Sequence, residues 1–442
     1  MDPIAYLEQQ ASRLKMDGYE FYRTRSRQLQ IEAKGGEVES SEEAVSHGLA
    51  IRLIRQGRVG FASTSCESPA SLEKALQLAY NTLDLVQEEV GVRFANEKNR
   101  NSFSPVFDQS LRERPFQEKA RLALALEKEA RDFDRRICRL RSVCYEEVEE
   151  EVELKTSFQF EGSYRRTLCE LSLMVVAEEG GESETAWESD FSPSFDRLDP
   201  SVPARRAAEK AVSLLGAKPV SSRRCPALLE PSVAASFLSV LASSFMGDQV
   251  MRGRSILKDQ VGKDIYSTKV SLLDDGRMVD GYLSLPFDGE GSPTKKNNLI
   301  KEGRLVGFLH DQQSSNRMGA ELTGNGIRPS YKEKPRVGVS NFFLEPGQKP
   351  VSELMHQMEN GFWITDLIGL HTANAVSGDF SLGATGFWVE NGKKNHPVRG
   401  VAVSGNLHTI FKRVVEVGSD LKFFHSFGCP SLLISDIDLG GV

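Results

Sequence analysis

The sequence from residue 377 to residue 392 reads Ser-Gly-Asp-Phe-Ser-Leu-Gly-Ala-Thr-Gly-Phe-Trp-Val-Glu-Asn-Gly. It joins a glycine-dense loop to an apolar run that ends in Asn391-Gly392, and a second apolar run follows over residues 396–403. Asn-Gly between two apolar runs is typical of a tight β-hairpin, because both turn residues tolerate a positive φ. The stretch therefore predicts two paired strands, and its spacing alone indicates no chemistry.

The rest of the second half carries turn signals at regular spacing and few helical patterns. Asp-Asp-Gly at residues 274–276 and Glu-Gly at residues 302–303 are such turn signals. A helix is predicted from residue 232 to residue 245, and residues 351–359 form the other clear helical pattern. We therefore expect a mostly β domain over residues 221–442.

The first half combines amphipathic helices with short alternating runs. The runs that follow Gly18 are separated by turn residues and predict an antiparallel meander. Since single cores stop growing near about 250 to 300 residues, the 442 residues favour two domains. We expect an α+β protein whose N-terminal α/β domain, residues 1–220, has helices flanking an antiparallel sheet. Four helices are predicted in it, at residues 3–15, 68–83, 115–132 and 202–215.

Composition and charge indicate the compartment and exclude several kinds of partner. A net charge of −7 opposes sequence-independent binding to DNA, which requires clustered positive charge. No apolar run approaches the roughly 18 residues that would span a bilayer. The first residues lack the pattern of a secretory signal, so we expect a cytoplasmic protein. Its six scattered cysteines are expected to be free thiols.

Five segments of the second half stand out by their glycines and acidic residues. They are Phe287-Asp-Gly-Glu-Gly291, Asn298-Leu-Ile-Lys-Glu-Gly-Arg-Leu305, Thr323-Gly-Asn-Gly326, residues 377–392 and Val417-Gly-Ser-Asp420. In these segments and their order the chain resembles the TldD/PmbA family, and the resemblance extends over most of its length. Proteins of this family were first described as modulators of DNA gyrase and are understood as subunits of a two-component metalloprotease.

The resemblance implies a zinc motif that this chain lacks. In the family's catalytic subunits, the helix that opens the second domain carries His-Glu-x-x-x-His, which supplies two zinc ligands and a general base. The corresponding segment here, Phe237-Leu-Ser-Val-Leu-Ala-Ser-Ser-Phe-Met-Gly-Asp248, contains neither His nor Glu. Cys429 matches the place of the third, thiolate ligand, but a buried structural cysteine is the alternative. The chain therefore resembles the PmbA branch, also called TldE, and we expect no catalytic or metal-binding residue in it.

The resemblance implies a non-catalytic subunit that pairs with a zinc-bearing TldD-like protein and helps to hold unfolded peptides for cleavage. Zinc is expected in the partner, and this chain is expected to bind no cofactor. An extended peptide can add a strand to a sheet edge, and glycines allow a close approach of main chains. Seven residues are the candidates for peptide binding, although both segments could equally be tight loops: Thr323, Gly324, Asn325, Gly326, Gly378, Asp379 and Phe380.

Two other functions remain open at this stage. One is a peptide-binding or regulatory homodimer without a protease link. The other is a self-sufficient hydrolase, since paired carboxylates can serve as acid and base. Four residues would carry it, although their motifs are more often turns: Asp274, Asp275, Asp288 and Glu290.

Overall fold

The computed structural model describes residues 2–96 and 103–441. The helices of these residues are α1 (Pro3–Ala11), α2 (Pro69–Thr82), α3 (Phe116–Phe133), α4 (Ser201–Ser213), α5 (Pro231–Leu241), α6 (Gly247–Met251), α7 (Gln312–Met318), α8 (Val351–Met358) and α9 (Leu407–Lys412). None of them is long and apolar enough to cross a membrane.

Strands predominate over helices in the described residues. They are β1 (Gly18–Lys34), β2 (Glu37–Arg55), β3 (Arg58–Thr64), β4 (Ile137–Thr156), β5 (Glu161–Glu179), β6 (Glu182–Ser192), β7 (Arg223–Leu229), β8 (Leu272–Asp275), β9 (Lys296–Lys301), β10 (Arg304–Leu305), β11 (Gly326–Ile327), β12 (Arg336–Val337), β13 (Phe342–Leu344), β14 (Gly361–Ile368), β15 (Asp379–Glu390), β16 (Lys393–Asn406), β17 (Val414–Val417), β18 (Lys422–Phe424), β19 (Phe427–Cys429) and β20 (Leu432–Gly440).

The first half contains one six-stranded sheet in the order β3-β2-β1-β4-β5-β6. Every neighbouring pair in it is antiparallel, so the meander predicted after Gly18 is confirmed. Helices α1 and α2 cover one end of the sheet, where Leu7 and Leu76 pack with Leu49. Helix α2 begins as predicted, because the Ser68 hydroxyl accepts a hydrogen bond from the backbone N–H of Ser71. Helices α3 and α4 cover the other end with a second apolar core.

The second half is built around a closed barrel. Its strands follow the order β16-β15-β14-β7-β20, and an additional pairing of β16 with β20 closes the circle. The predicted hairpin of β15 and β16 is confirmed, with Asn391 at φ 51° and Gly392 at φ 72°. Gly386 allows β14 and β15 to pair closely, since a Cβ at this position would lie 1.9 Å from the Trp363 carbonyl oxygen.

A second sheet of the same half has the order β10-β9-β8-β13-β19-β18. Helix α5 packs between this sheet and the barrel, with Phe237 and Leu238 fully buried. The helix predicted up to residue 245 ends at Leu241, and residues 242–245 continue as a tighter 3₁₀ turn. The α+β class is confirmed. The division of the chain at residue 220 remains a prediction, although the first sheet ends at residue 192 and all later strands begin at residue 223 or beyond.

A cleft between the two halves as the candidate functional site

Helix α5 presents two different faces. Its apolar residues pack into the core of the second half, whereas Ser232, Ser236 and Ser239 follow one another at spacings of four and three and share the other face. The Ser239 hydroxyl donates to the Ser236 carbonyl oxygen at 2.8 Å. The Ser232 hydroxyl is buried and has no hydrogen-bond partner among the described residues. This face is small and polar, and it leaves open space beside the helix.

The serine face lines a cleft of about 300 Å³ that both halves of the chain form. The first half contributes Trp187 and Glu188 of β6 and Lys210 of α4. The second half contributes Phe424 of β18 and the neighbouring His425 opposite these residues. A cleft of this volume, with aromatic and charged side chains around it, lies within the size range of ligand-binding pockets.

An adjoining cleft of about 470 Å³ continues the first one. The two share Glu188, Lys210 and Phe424, so they form one groove, which we call the α5 groove. The second part adds an aromatic wall made of Trp363 and Phe387, whose ring centroids lie 5.8 Å apart. The α5 groove therefore extends from the serine face to the hairpin of β15 and β16.

Ion pairs cross the α5 groove or lie along its rim. Lys422 pairs with Glu188 and thereby joins the two halves. Lys210 lies 3.5 Å from Glu230, and burial raises the pKa of this glutamate. A hydrogen bond with Glu170 raises the pKa of the imidazole of His425. The rim thus holds both signs of charge at neutral pH.

The donor set beside α5 does not fit zinc. Residues 237–248, where the resemblance places the zinc motif, contain neither His nor Glu, and Cys429 lies fully buried on β19. Burial raises the pKa of the Cys429 thiol well above its ordinary value, and Asp420 adds to the shift, so the thiolate form is disfavoured. His425 is the nearest histidine in the sequence, and it pairs with Glu170. Residues 2–96 and 103–441 contain no group of three side chains arranged to hold a metal ion.

The first predicted peptide-binding segment, residues 323–326, has its polar side chains turned inward. The Thr323 hydroxyl accepts a hydrogen bond from the backbone N–H of His310 at 2.6 Å. Asn325 is buried and donates to Asp274 at 2.7 Å. Gly324 has φ 73°, and a Cβ there would lie 2.4 Å from the Pro293 carbonyl oxygen. The segment is tightly fixed, and Thr323 also lines a separate open cleft of about 570 Å³.

The second predicted segment, residues 378–380, lies where β15 begins. Gly378 has φ 82° and Asp379 accepts a hydrogen bond from Asn406 at 2.8 Å. Phe380 is buried, and its ring centroid lies 4.9 Å from that of Phe237 on α5. The two segments have different partners, and their part in peptide binding remains a prediction.

The carboxylates of the hydrolase alternative are held by fixed donors. Asp274 is fully buried and accepts hydrogen bonds from Asn325 and from both the backbone N–H and the hydroxyl of Ser340, each at 2.7 Å. Burial raises the pKa of Asp274 to about 6. Asp275 accepts from the backbone N–H of Arg277 at 2.9 Å. Such contacts favour a structural role, because a catalytic acid or base must reach the substrate.

Asp288 and Glu290 lie in the loop between β8 and β9 and are likewise buried. Asp288 accepts backbone hydrogen bonds from Glu290, Ser292 and Gly326 at 2.7 to 2.9 Å. Burial raises the pKa of both carboxyls. We call Asp274, Asp288 and Glu290 the buried acid cluster.

Glu290 also takes part in an ion network between the two halves. Arg52 of β2 lies 3.3 Å from Glu20 of β1 and 3.4 Å from Glu290. Arg328 of the second half in turn pairs with Glu20 at 2.5 Å. The side chains of all four residues are at most 5% exposed. The network therefore belongs to a dry interface that fixes the first sheet against the second half.

The residues of the α5 groove were not identified from the sequence. One signal was present, because the serines of α5 recur at the spacing of one helical face. Trp187, Lys210 and Phe424 lie far apart in the chain, and their meeting in one groove is a result of tertiary folding.

Comparisons with known proteins agree in all parts of the chain. Three family models match: PmbA/TldA metallopeptidase domain 1 at residues 19–82, the central domain at residues 109–215 and the C-terminal domain at residues 222–441. The Metalloprotease PmbA of Escherichia coli O157:H7 is 26% identical over 429 residues, which cover 97% of this chain and 93% of that protein. The Metalloprotease PmbA homolog of Haemophilus influenzae is 26% identical over 416 residues, or 93% of this chain and 90% of that protein.

Solved structures share the whole fold. A protein of Thermotoga maritima, described as a modulator of a DNA gyrase, has a TM-score of 0.92 and 25% identity, with 99% of both chains covered. TldE of Thermococcus kodakarensis has a TM-score of 0.91 at 21% identity, with 100% of both chains covered, and this likeness concerns the fold alone.

Proposed function

The chain belongs to the PmbA/TldD metallopeptidase family, and from this premise we propose that it is a non-catalytic, TldE-like subunit of a TldD-type zinc metalloprotease that cleaves or matures unfolded peptides. The observation that carries the proposal is helix α5. The segment that corresponds to the zinc helix, residues 237–248, contains neither His nor Glu, so it cannot supply two imidazole ligands and a general base. Zinc and the hydrolytic water then belong to a TldD-like partner.

In this proposal the α5 groove holds part of an extended peptide. Its aromatic walls contact apolar side chains, and the charged side chains along its rim contact polar ones. Glycine-rich residues 323–326 and 378–380 remain the proposed main-chain contacts. The complex is proposed to act in the cytoplasm, on polypeptides rather than on nucleic acid, in keeping with the net charge of −7.

A homodimer that binds peptides without a protease partner is the second candidate. The α5 groove supports it equally, because the groove lies within one chain. The two candidates differ in whether a TldD-like subunit forms a stable complex with this chain and gives peptidase activity.

The test is the zinc content of the chain, purified alone and after co-expression with a TldD-like subunit from the same source. We expect no stoichiometric zinc in the chain alone, and one zinc per heterodimer together with cleavage of unfolded casein in the complex. Zinc bound to the chain alone at one equivalent would contradict the proposal. Failure to form a complex would favour the homodimer.

A variant that fills the groove tests its role in the complex. Ser236→Trp places a large ring on the serine face of α5, and the matched control is Leu78→Trp, at an exposed position of α2. We expect the first complex to form but to cleave casein at least about tenfold more slowly, since a filled site loses its binding energy. The control complex should cleave casein at the unmodified rate. Equal rates for both variants would exclude the groove as a peptide site.

A further inference from the structure

Lys394 stands on the aromatic wall of the α5 groove. It is the second residue of β16, and its amine lies 3.5 Å from the ring centroid of Phe387 and 5.9 Å from that of Trp363. A cation over an aromatic face is held by the ring quadrupole, and such contacts are stronger where water is excluded. The wall therefore keeps a positive charge at a defined place in the groove.

This amine has no carboxylate partner among residues 2–96 and 103–441, whereas the other two lysines of the groove are paired. Lys210 pairs with Glu230 and Lys422 with Glu188. Glu209 and Glu230 interact electrostatically with Lys394, but their carboxylate oxygens lie beyond ion-pair distance from its amine. Lys394 is exposed as a residue, and partial desolvation beside the aromatic wall lowers the pKa of its amine. An anion that entered the groove would supply the missing partner.

A second donor lies on the same wall. The indole N–H of Trp363 is buried and has no hydrogen-bond partner within the described part of the chain. An unsatisfied buried donor costs about 1 to 3 kcal/mol, and native structures contain few of them. The Lys394 amine lies 5.9 Å from the centroid of the Trp363 ring, so the two donors belong to neighbouring side chains of one wall. Two donors near each other match the two oxygens of a carboxylate.

We propose that Lys394 and the indole N–H of Trp363 form a subsite that binds a carboxylate of the peptide held in the α5 groove. The inference rests on the proposed function and specifies it, because it selects peptides that carry a negative charge at one place. The carboxylate is either the free C-terminus of the peptide or an Asp or Glu side chain. Both present the same pair of acceptor oxygens.

The experiment measures the binding of four peptides labelled with fluorescein at the N-terminus. All are decapeptides built from Ala, Ser and Phe, and two of them carry one further residue at the centre. One has a free C-terminal carboxylate, its counterpart is amidated, and an amidated pair carries one central Asp or one central Asn. Fluorescence anisotropy is recorded at pH 7 with the chain alone and with the complex, whose zinc is removed by a chelator. The variants are Lys394→Met, Trp363→Phe and the control Lys393→Met, whose side chain points to the opposite face of the same strand.

We expect one of the two charged peptides to bind about tenfold more tightly than its neutral counterpart, as a hydrogen bond to a charged group allows. The pair that shows the difference identifies the source of the carboxylate. Lys394→Met should abolish the preference, Trp363→Phe should reduce it several-fold, and Lys393→Met should retain it. Equal binding of all four peptides would refute the subsite and leave the peptide groove intact. A preference that survives in Lys394→Met would also refute it. If none of the four peptides bound, both the subsite and the groove would be refuted.

Discussion

Replacement of Arg52 by methionine tests whether the buried ion network fixes the first sheet against the second half. The arginine lies between Glu20 and Glu290 at 3.3 and 3.4 Å, and its side chain is 5% exposed. Methionine retains most of the apolar stem but removes the charge and the contact of the guanidinium group with the Phe94 ring. Glu20 keeps Arg328 as a partner, whereas Glu290 loses its only cation among the described residues.

The expected loss of stability depends on pH. Removal of one partner of a buried pair costs about 3 to 5 kcal/mol, because a charge remains uncompensated. We expect about 3 kcal/mol at pH 9.5, above the raised pKa of Glu290 in the wild type, and this is the lower end because Glu20 remains paired. The loss of Arg52 raises the pKa of Glu290 further above its unfolded value. Between these two pKa values the folded state binds the extra proton, so the stability of the variant falls as pH rises. At pH 5 Glu290 is protonated in both proteins, and the loss should be less than about 2 kcal/mol.

The assay is urea unfolding followed by circular dichroism at pH 9.5 and pH 5, since urea does not screen charges. The control is Arg55→Met on the same strand, whose partner Asp84 is 67% exposed. Exposed pairs contribute about 0 to 1 kcal/mol, so this control should unfold close to the wild type at both pH values. A loss below about 1 kcal/mol in Arg52→Met at pH 9.5, or an equal loss at pH 5 and pH 9.5, would refute the reasoning.

Three further outcomes are expected. Gly386→Ala should abolish folding or lower the melting temperature by more than about 10 °C, because its Cβ would lie 1.9 Å from the Trp363 carbonyl oxygen. The control Gly307→Ala has open space around the new Cβ and should melt at the wild-type temperature. Equal melting temperatures of the two variants in calorimetry would show that β14 and β15 can separate. Cys429→Ser should lower the free energy of unfolding by about 1 to 3 kcal/mol, since a hydroxyl replaces a fully buried thiol. The zinc content and the casein cleavage of the complex should stay unchanged. Loss of zinc in that variant would make Cys429 a ligand. Wild-type stability should rise as pH falls from 8.5 to 6.5, because burial raises the pKa values of the buried acid cluster above their unfolded values. A flat calorimetric profile would mean that these carboxyls remain ionised in the folded protein.

Local signals in the sequence predicted those elements that depend on neighbouring residues. The Ser68 cap of α2 and the Asn391-Gly392 hairpin needed only turn and cap chemistry, and both are present. Helix α7 was not predicted. A local signal for it was nevertheless present, since Asp311 and Ser314 form a capping box at its start. Its seven residues are too few to show a clear apolar period.

The α5 groove could not be predicted from such local sequence signals. Trp187, Lys210 and Phe424 meet only because α4, β6 and β18 converge beside α5. The glycine-dense segment at residues 323–326 suggested an open wall, yet Asn325 and Thr323 use their polar groups inside the fold. Sequence spacing shows where the backbone is unusual, and the direction of each side chain depends on partners that are distant in the chain.

The closure of the barrel by β20 has a consequence for the kinetics of folding. Strand β7 pairs with β20, and Arg224 and Asp436 at this seam are 212 positions apart. Contacts between such distant positions form slowly, because the loop entropy is lost before the contact is gained. Until β20 arrives, the edges of β7 and β16 are unpaired and can capture strands of other chains. Aggregation during synthesis should therefore be governed by the arrival of this one strand, and substitutions in β20 should lower the yield of folded protein more than equally buried substitutions in the first sheet.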